Sequence, residues 1–431
     1  REGGIVMDHP VIARILEKLE SRGLLPLEKQ AALEEKLLGE RLTLLPDLMK
    51  ETGLDCWLVL AQENNEDPAM KALMTWDRRT ARRQTALLFF RQGDQVRALS
   101  WGMPSQVMAK FYTPSKEGDE TLCQGLARLF KQYDPQQIGV NMAPQAGGFC
   151  DGLSAGLYQM LEEELPAPWR NRLCSAGRLS TRFLETMTAG EHKVMETLVE
   201  VTEDIIKAAY SPDVIVPGQT TTQDVEWFMR HVMAACQLDF WFGPDVDLQR
   251  QGLESLSNEG VIQPGDLLHC DIGVMLKYIP VLTDKQWMAY VRRPGETTPP
   301  QGLEQLFSQC GRFQEITRSH FLSGTPGNQV FHKAVDQGKA EGLCPQLYCH
   351  GLGVFGHGPG PIIGRYDYQD SIYPRGEYPV GLHSSHALEL NVRGKVPEWN
   401  DQVVRISLEE DVHIGETCEY VYHHQEKLII I

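Results

Sequence analysis

The chain has 431 residues, of which 42% are hydrophobic and 8% aromatic, and a formal net charge of −17. This length exceeds one ordinary domain, so two domains are expected, and the composition is that of a globular protein. The negative charge argues against nucleic acid and anionic membranes as main partners. No run of about 18 apolar residues indicates a transmembrane helix.

The cysteines give an indication of the compartment. Ten of them are scattered without CxxC pairs, a pattern typical of reduced core residues in an intracellular protein, so we expect a cytoplasmic location. Cys270 and Cys349 adjoin candidate site residues, where packing is favoured over a thiolate role. Because the sequence does not begin with methionine, an upstream signal peptide or a tag could have been removed.

The first part of the chain predicts an α/β domain over residues 1–180. Up to about Leu45, apolar residues recur at intervals of three and four, which predicts amphipathic helices that pack on this domain. Strands and helices then alternate, and neither a glycine-rich phosphate loop nor a catalytic cluster is present; GFCDG at 148–152 does not form one. The predicted elements are a strand at Asp55–Ala61, a hairpin at Thr85–Arg97, a helix at Thr121–Tyr133 and a strand at Gln137–Asn141.

The second part, residues 181–431, begins with a long helix at Ala189–Tyr210. Thr221 precedes another amphipathic helix, and Asp224 stands three residues later, as in an approximate capping box. Two more helices are predicted at Gln301–Ser323 and Gly327–Glu341, after a strand pair and before further strands.

That strand pair, His269–Tyr290, carries two aspartates inside an apolar stretch. We expect two short strands joined by a bend at Lys277–Pro280, because proline cannot continue a sheet ladder. Asp271 lies on one strand and Asp284 on the other. Two bare carboxylates side by side repel, and a cation between them removes that cost. The pair therefore predicts a metal site with oxygen ligands.

Three later stretches add candidate ligands. HGLGVFGHGPGP contains His350 and His357, HALELNV is a strand with Glu389, and VVRISLEEDV is a strand with Glu409 and Glu410. Adjacent strand residues face opposite ways, so only one of the last two glutamates can be a ligand. Carboxylates with one imidazole suit two divalent ions.

The order Asp, Asp, His, Glu, Glu resembles that of the pita-bread metallohydrolases, which include methionine aminopeptidase, aminopeptidase P, prolidase and creatinase. The resemblance covers roughly residues 182–431 and rests on DIG, LTD, HGLG, LELN and LEEDV. The preceding domain resembles the N-terminal domain of the aminopeptidase P, prolidase and creatinase branch. The metal ligands that the resemblance implies are Asp271, Asp284, His350, Glu389 and Glu409.

The resemblance implies an α+β fold, with a C-terminal pita-bread domain preceded by a smaller creatinase-type α/β domain. It also implies an Xaa-Pro aminopeptidase or prolidase-like metallopeptidase with two divalent ions, Mn or Zn, with Co or Fe as further options. A hydroxide that bridges the ions would attack the peptide carbonyl. No other cofactor is expected, and a homodimer is implied. The catalytic residues would be His357, Glu389 and Arg405.

Several departures keep other functions open. Asp271 and Asp284 stand 13 residues apart, wider than in common members, the usual HExP after the second histidine is absent, and Asp245–Arg250 lacks an expected histidine. The last two departures favour, as the alternative to the metallopeptidase, a non-peptidase hydrolase or lyase on the same fold that acts on a small amidine, amide or sulfonium compound. A binding or scaffold protein is the third possibility, and the intact ligand set argues against it.

Arg405 lies four residues before Glu409, on the same face of the predicted strand. The family arginine usually stands two residues before that glutamate. The sequence leaves Arg405 open between a contact to substrate, a contact to a site residue and a surface charge. Asp245 and Asp247 are expected to be loop acids.

Overall fold

The structure is a computed structural model that describes residues 9–143, 151–253 and 260–431. The described residues of Arg1–Gln30 and Glu191–Ile431 form one compact unit, called here the C-terminal unit, and those of Ala31–Gly190 form the N-terminal unit. The domain division at residue 180 stays a prediction. The expectation about the start of the chain lies outside the described residues, as does most of the GFCDG segment.

The helices, in chain order, are α1 (Pro10–Ser21), α2 (Leu27–Leu42), α3 (Leu45–Thr52), α4 (Leu122–Tyr133), α5 (Ala155–Glu164), α6 (Ala167–Arg170), α7 (Gly177–Glu185), α8 (Ala189–Ala209), α9 (Thr222–Ala235), α10 (Gln301–His320) and α11 (Gly327–Ala340). The strands up to the middle of the chain are β1 (Cys56–Gln62), β2 (Gln84–Gln92), β3 (Gln95–Trp101), β4 (Thr113–Pro114), β5 (Ile138–Val140), β6 (Leu173–Ser175), β7 (Asp239–Gln249) and β8 (Leu267–Met275). The remaining strands are β9 (Lys285–Tyr290), β10 (Pro345–Leu347), β11 (Cys349–Leu352), β12 (Gly358–Ile363), β13 (Ser385–Val396), β14 (Gln402–Ile414), β15 (Cys418–Tyr420) and β16 (Ile429–Ile430). No described helix has the combination of length and apolar character that crossing a bilayer requires.

The N-terminal unit contains a sheet of strand order β4-β3-β2-β1-β5-β6. β2 and β3 form the predicted hairpin, in which Gln92 pairs with Gln95 across the Gly-Asp turn. β1 runs parallel to β5, and β5 runs parallel to β6. Alternate residues of the sheet pack with α4 and α5 in a hydrophobic core that includes Leu58, Leu88 and Phe130.

The C-terminal unit contains a ten-stranded, mostly antiparallel sheet with the main strand order β12-β11-β13-β14-β9-β8-β7. Its two longest strands, β13 and β14, pair along their whole length. On one face of both strands, most residues are apolar and pack in one core with α10 and α11; these residues include Leu388, Leu390, Ile406 and Leu408. The intervening residues face the other side, and most of them are polar. This alternation predetermines which face of the sheet can carry a polar site.

Two local expectations about helices had different outcomes. The capping box before α9 is present, because Thr221 and Asp224 exchange side-chain to backbone hydrogen bonds. The prediction that the leading helices pack on the first domain is wrong for α1. Lys18 of α1 forms an ion pair with Asp204 at 2.5 Å, within the C-terminal unit. An amphipathic pattern shows that a helix has an apolar face, but not which surface covers that face.

Candidate metal centre

A row of polar side chains crosses the sheet of the C-terminal unit. It consists of directly paired residues on β7, β8, β9, β14 and β13, in the order Asp245, Asp271, Gln286, Glu409 and Glu389. Directly opposite residues in a sheet hold their Cβ atoms about 4.5–5.5 Å apart. The pairing therefore brings four carboxylates from four strands to the two sides of one amide. Asp284 stands two residues before Gln286 in the sequence.

Asp284, His350 and Glu409 form a buried group in which one ligand atom of each lies within 4.8 Å of the others. His350 Nε2 is 3.6 Å from Asp284 Oδ2 and 3.7 Å from Glu409 Oε1. The Nδ1 atom of His350 lies 3.0 Å from the carbonyl oxygen of Gly351. Because a carbonyl only accepts hydrogen bonds, Nδ1 donates to it, and Nε2 is the ring nitrogen on the side of the two carboxylates.

This group fits one divalent ion. Ligands that bind an ion at about 2.1 Å in a tetrahedron lie about 3.4 Å apart, close to the observed separations. Glu409 Oε1 is buried and has no hydrogen-bond partner among the described residues. A buried carboxylate oxygen without a partner is costly unless a cation satisfies it. Imidazole with carboxylates suits zinc, manganese, cobalt or iron.

Burial also shapes the acid–base properties of the group. Burial, reinforced by the neighbouring carboxylates, raises the pKa values of Asp284, Glu389 and Glu409 well above their ordinary range. Burial raises the pKa of Asp271 to about 7. So many carboxylates cannot all be ionised together without positive charge, which is the condition that a bound cation meets.

Gln286 lies between the carboxylates and was not singled out from the sequence. Its Nε2 atom donates to Glu389 Oε1 at 2.6 Å and to Glu409 Oε2 at 2.8 Å, and lies 3.4 Å from Asp271 Oδ2. The amide nitrogen is therefore surrounded by carboxylate oxygens from three strands. The alternation of side chains along a strand could have drawn attention to Gln286, since it is two residues beyond Asp284.

A second pair of residues holds the other end of that amide. His269 Nε2 lies 2.8 Å from Gln286 Oε1, and His269 Nδ1 lies 3.1 Å from Asp247 Oδ2. Burial lowers the pKa of His269, but the charge of Asp247 outweighs this effect and raises the pKa to about 8. The expectation that Asp245 and Asp247 are loop acids is wrong, because both lie on β7 and pair with β8.

The structure distinguishes Glu409 from Glu410 by their surroundings. Glu410 faces the opposite side of β14, where it contacts Lys285 and accepts hydrogen bonds from Trp287 Nε1 at 2.9 Å and from the backbone N–H of Gln425 at 2.7 Å. Lys285 is itself fully buried and also pairs with Glu203 at 3.2 Å. Glu409 is therefore the member of the pair that faces the carboxylates.

A cavity of about 770 Å³ is lined by four residues of the row, Asp245, Asp271, Gln286 and Glu389, and by His350 of the metal-site group. His357 borders it, with its ring 4.6 Å from that of His350 and edge-to-face. Partial burial, with His350 and Arg375 nearby, lowers the pKa of His357 to about 4. Arg405 lines the same cavity, donates to Tyr366 Oη at 2.7 Å and lies 3.8 Å from Asp247. The structure thus places Arg405 at the cavity wall and not on the outer surface.

The two cysteines next to site residues have surroundings that favour packing. Cys270 and Cys349 are fully buried, and burial raises the pKa of Cys270 to about 12 and that of Cys349 well above its ordinary value. A thiol with a raised pKa is a poor nucleophile near neutral pH. All the described cysteines are free.

No model of a known protein family and no curated protein sequence matches the chain. Solved structures do match it over nearly its whole length. An X-Pro aminopeptidase from Thermotoga maritima superposes with a TM-score of 0.64 at 15% identity, over 89% of this chain and 100% of that one. The Xaa-Pro dipeptidase from Bacillus anthracis gives 0.60 at 16%, over 91% and 100%. The dipeptidase PepE from Mycobacterium ulcerans gives 0.63 at 16%, over 92% and 98%.

These matches confirm the fold predicted from the sequence. The chain has the fold of the Xaa-Pro peptidases: a mixed α/β N-terminal sheet, and a larger antiparallel C-terminal sheet with helices on one face. At 12–16% identity the likeness is one of fold, and the residues of the site have to carry any statement about chemistry.

Proposed function

We propose that this protein is a metal-dependent hydrolase of the Xaa-Pro peptidase type, an aminopeptidase P or a prolidase. The observation that carries the proposal is the buried group of Asp284, His350 and Glu409, of which His350 lines a cavity large enough for a short peptide. The fold supports it, because the solved structures with this fold include an X-Pro aminopeptidase and an Xaa-Pro dipeptidase.

The chemistry of hydrolysis can be assigned to residues of the chain. Asp284, His350 and Glu409 would hold an ion, which would supply Lewis acidity for a substrate carbonyl and a water molecule. Glu389 takes up the proton of the attacking water and passes it to the leaving amine nitrogen, since its carboxylate lies 3.8 Å from His350 Nε2 and borders the cavity. His357 donates a hydrogen bond to the oxygen that becomes negative, because an imidazole carries an N–H in either protonation state.

Arg405 binds or orients the substrate in this proposal. Its side chain is 15% exposed and borders the cavity, with Tyr366 and Asp247 holding its guanidinium in place. A planar guanidinium held in this way is suited to a carboxylate such as the C-terminus of a dipeptide. A homodimer is also proposed, on the resemblance alone.

The test is hydrolysis of Xaa-Pro dipeptides and Xaa-Pro-Yaa tripeptides with added Mn²⁺. We expect cleavage by the wild-type protein and by Asp336→Asn, an exposed residue on α11, and loss of cleavage in Asp284→Asn. A preference for dipeptides would indicate a prolidase, and one for tripeptides an aminopeptidase P. No cleavage of any peptide by the metal-loaded protein would contradict the proposal in favour of a hydrolase or lyase for small molecules.

A further inference from the structure

The resemblance implied two divalent ions, but the described residues fit only one of the two positions. The first position is the group of Asp284, His350 and Glu409. The second would lie between Asp271, Glu389 and the other oxygen of Glu409. That space contains the carboxamide of Gln286, which comes from the middle of the polar row.

We propose that the Gln286 amide takes the place of the second cation, so that the protein binds one divalent ion per chain. The proposal rests on the proposed function in that both require an ion at Asp284, His350 and Glu409. Gln286 Nε2 is 2.6 Å from Glu389 Oε1 and 2.8 Å from Glu409 Oε2, with Asp271 Oδ2 at 3.4 Å. An ion needs its oxygen ligands at about 2.0–2.2 Å, and it cannot share this space with the nitrogen.

The amide of Gln286 supplies part of the charge compensation that a second ion would supply to these carboxylates. An amide N–H₂ has two donors, and two of the three carboxylates accept from it at normal hydrogen-bond lengths. One oxygen of Glu409 is thereby occupied by Gln286, while its Oε1 atom is buried without a partner and faces His350. Glu409 therefore connects an internal donor on one side with an ion position on the other, instead of bridging two ions.

The orientation of the amide follows from its neighbours. Carboxylates accept hydrogen bonds, so the nitrogen end of Gln286 faces Glu389 and Glu409 and the oxygen end faces His269. His269 is held in turn by Asp247. His269 and Asp247 are therefore positioning residues that keep the amide between the carboxylates.

Asp271 has a different role in this arrangement from the one that the sequence suggested. One of its oxygens lies 3.4 Å from the amide, and its Oδ1 atom is buried without a hydrogen-bond partner among the described residues. It remains a carboxylate that a second ion could use if the amide were removed. This gives the proposal a direct test.

The experiment counts bound ions and records their magnetic state. Metal-free protein is titrated with Mn²⁺ in a calorimeter, the metal content is measured after desalting, and the Mn²⁺ spectrum is recorded by electron paramagnetic resonance. We expect one ion in the wild-type protein, with the spectrum of an isolated Mn²⁺. Gln286→Ala opens the space between the carboxylates, and we expect two ions with the spectrum of a spin-coupled pair.

Gln286→Met is the matched control. Methionine is similar in volume to glutamine, so it keeps the space filled although it has no donor, and one ion is expected. His269→Ala tests the positioning role, because an amide released from His269 can swing away and admit a second ion. A role confined to folding would change the stability of the protein but not its ion count.

The outcomes separate this proposal from the proposed function. Two ions in the wild-type protein overturn the assignment of Gln286 and leave the hydrolase intact. One ion in both the wild-type protein and Gln286→Ala overturns it as well, since the amide would not be what excludes the second ion. No bound ion in any variant overturns both proposals together. If Gln286→Ala does not fold, Gln286→Ser serves the same purpose with a smaller loss of polar contacts.

Discussion

Glu409 and Glu410 are adjacent on β14 and equally buried, but the negative charge of each carboxylate is compensated in a different way. The side chain of Glu410 meets the ammonium group of Lys285, which belongs to the chain. Glu409 meets other carboxylates, an imidazole and an amide, and one of its oxygens has no partner among the described residues. A buried carboxylate needs compensation. On the Glu410 face of β14, a lysine of the chain supplies the positive charge. On the Glu409 face, a bound metal ion would have to supply it.

Among the variants that test this comparison of Glu409 with Glu410, the largest effect is expected for a substitution of Lys285. Replacing Lys285 with methionine leaves Glu410 buried without its cation, while Glu203 keeps its ion pair with Lys207. We expect the free energy of unfolding to fall by about 3–5 kcal/mol, as when one partner of a buried ion pair is removed. Denaturant unfolding measures this effect, with the exposed Lys333→Met as the control. A loss below about 1 kcal/mol would show that the network on this face does not need the lysine.

A metal ion bound on the Glu409 face of β14 should stabilise the protein by a somewhat smaller amount. With Mn²⁺ or Zn²⁺ at one hundred times its dissociation constant, we expect a gain of about 2.7 kcal/mol over the chelator-treated protein. His350→Ala should remove most of this gain, because it removes the nitrogen ligand. His332→Ala, at a half-exposed histidine on α11, should keep it. An equal gain in both variants, measured by thermal unfolding, would place the ion elsewhere.

The smallest effect is expected for Glu409→Gln in the metal-free protein. This change removes a potential charge that no cation balances, and the new amide can still accept a hydrogen bond from Gln286. We expect the free energy of unfolding to change by less than about 1 kcal/mol, while the stabilisation by metal is lost. The matched change Glu410→Gln should cost several times more, since it leaves Lys285 with one carboxylate fewer. Similar costs for the two variants would contradict the comparison.

Much of this fold could be predicted from local patterns. The alternation of apolar and polar residues in β13 and β14 indicated strands with one buried apolar face, and Thr221 with Asp224 indicated the start of α9. These features depend on residues close together in the sequence, where periodicity and capping act. The surface on which α1 packs could not be predicted in this way, because an apolar stripe fits any complementary surface.

The site was also predictable only in part, because it depends on which distant residues the fold brings together. The residue types and their order indicated carboxylates and an imidazole around metal, and the structure brings Asp284, His350 and Glu409 together. Gln286 gave no such signal, because a glutamine in a strand is ordinary until its neighbours are known. The strand character of the segment with Asp245 and Asp247 was missed because FWFGPDVD contains a glycine and a proline, which favour turns.

The sequence by itself determined which side chains could share a face of the sheet, since that depends on the two-residue period of a strand. It also determined that Lys285 and Gln286 would face opposite sides of β9, as Glu409 and Glu410 do on β14. Only the tertiary structure decided the register that pairs Gln286 with Glu409, residues 123 apart in the chain. Register depends on how distant strands pack, and a shift of one residue would have turned the amide away from the carboxylates.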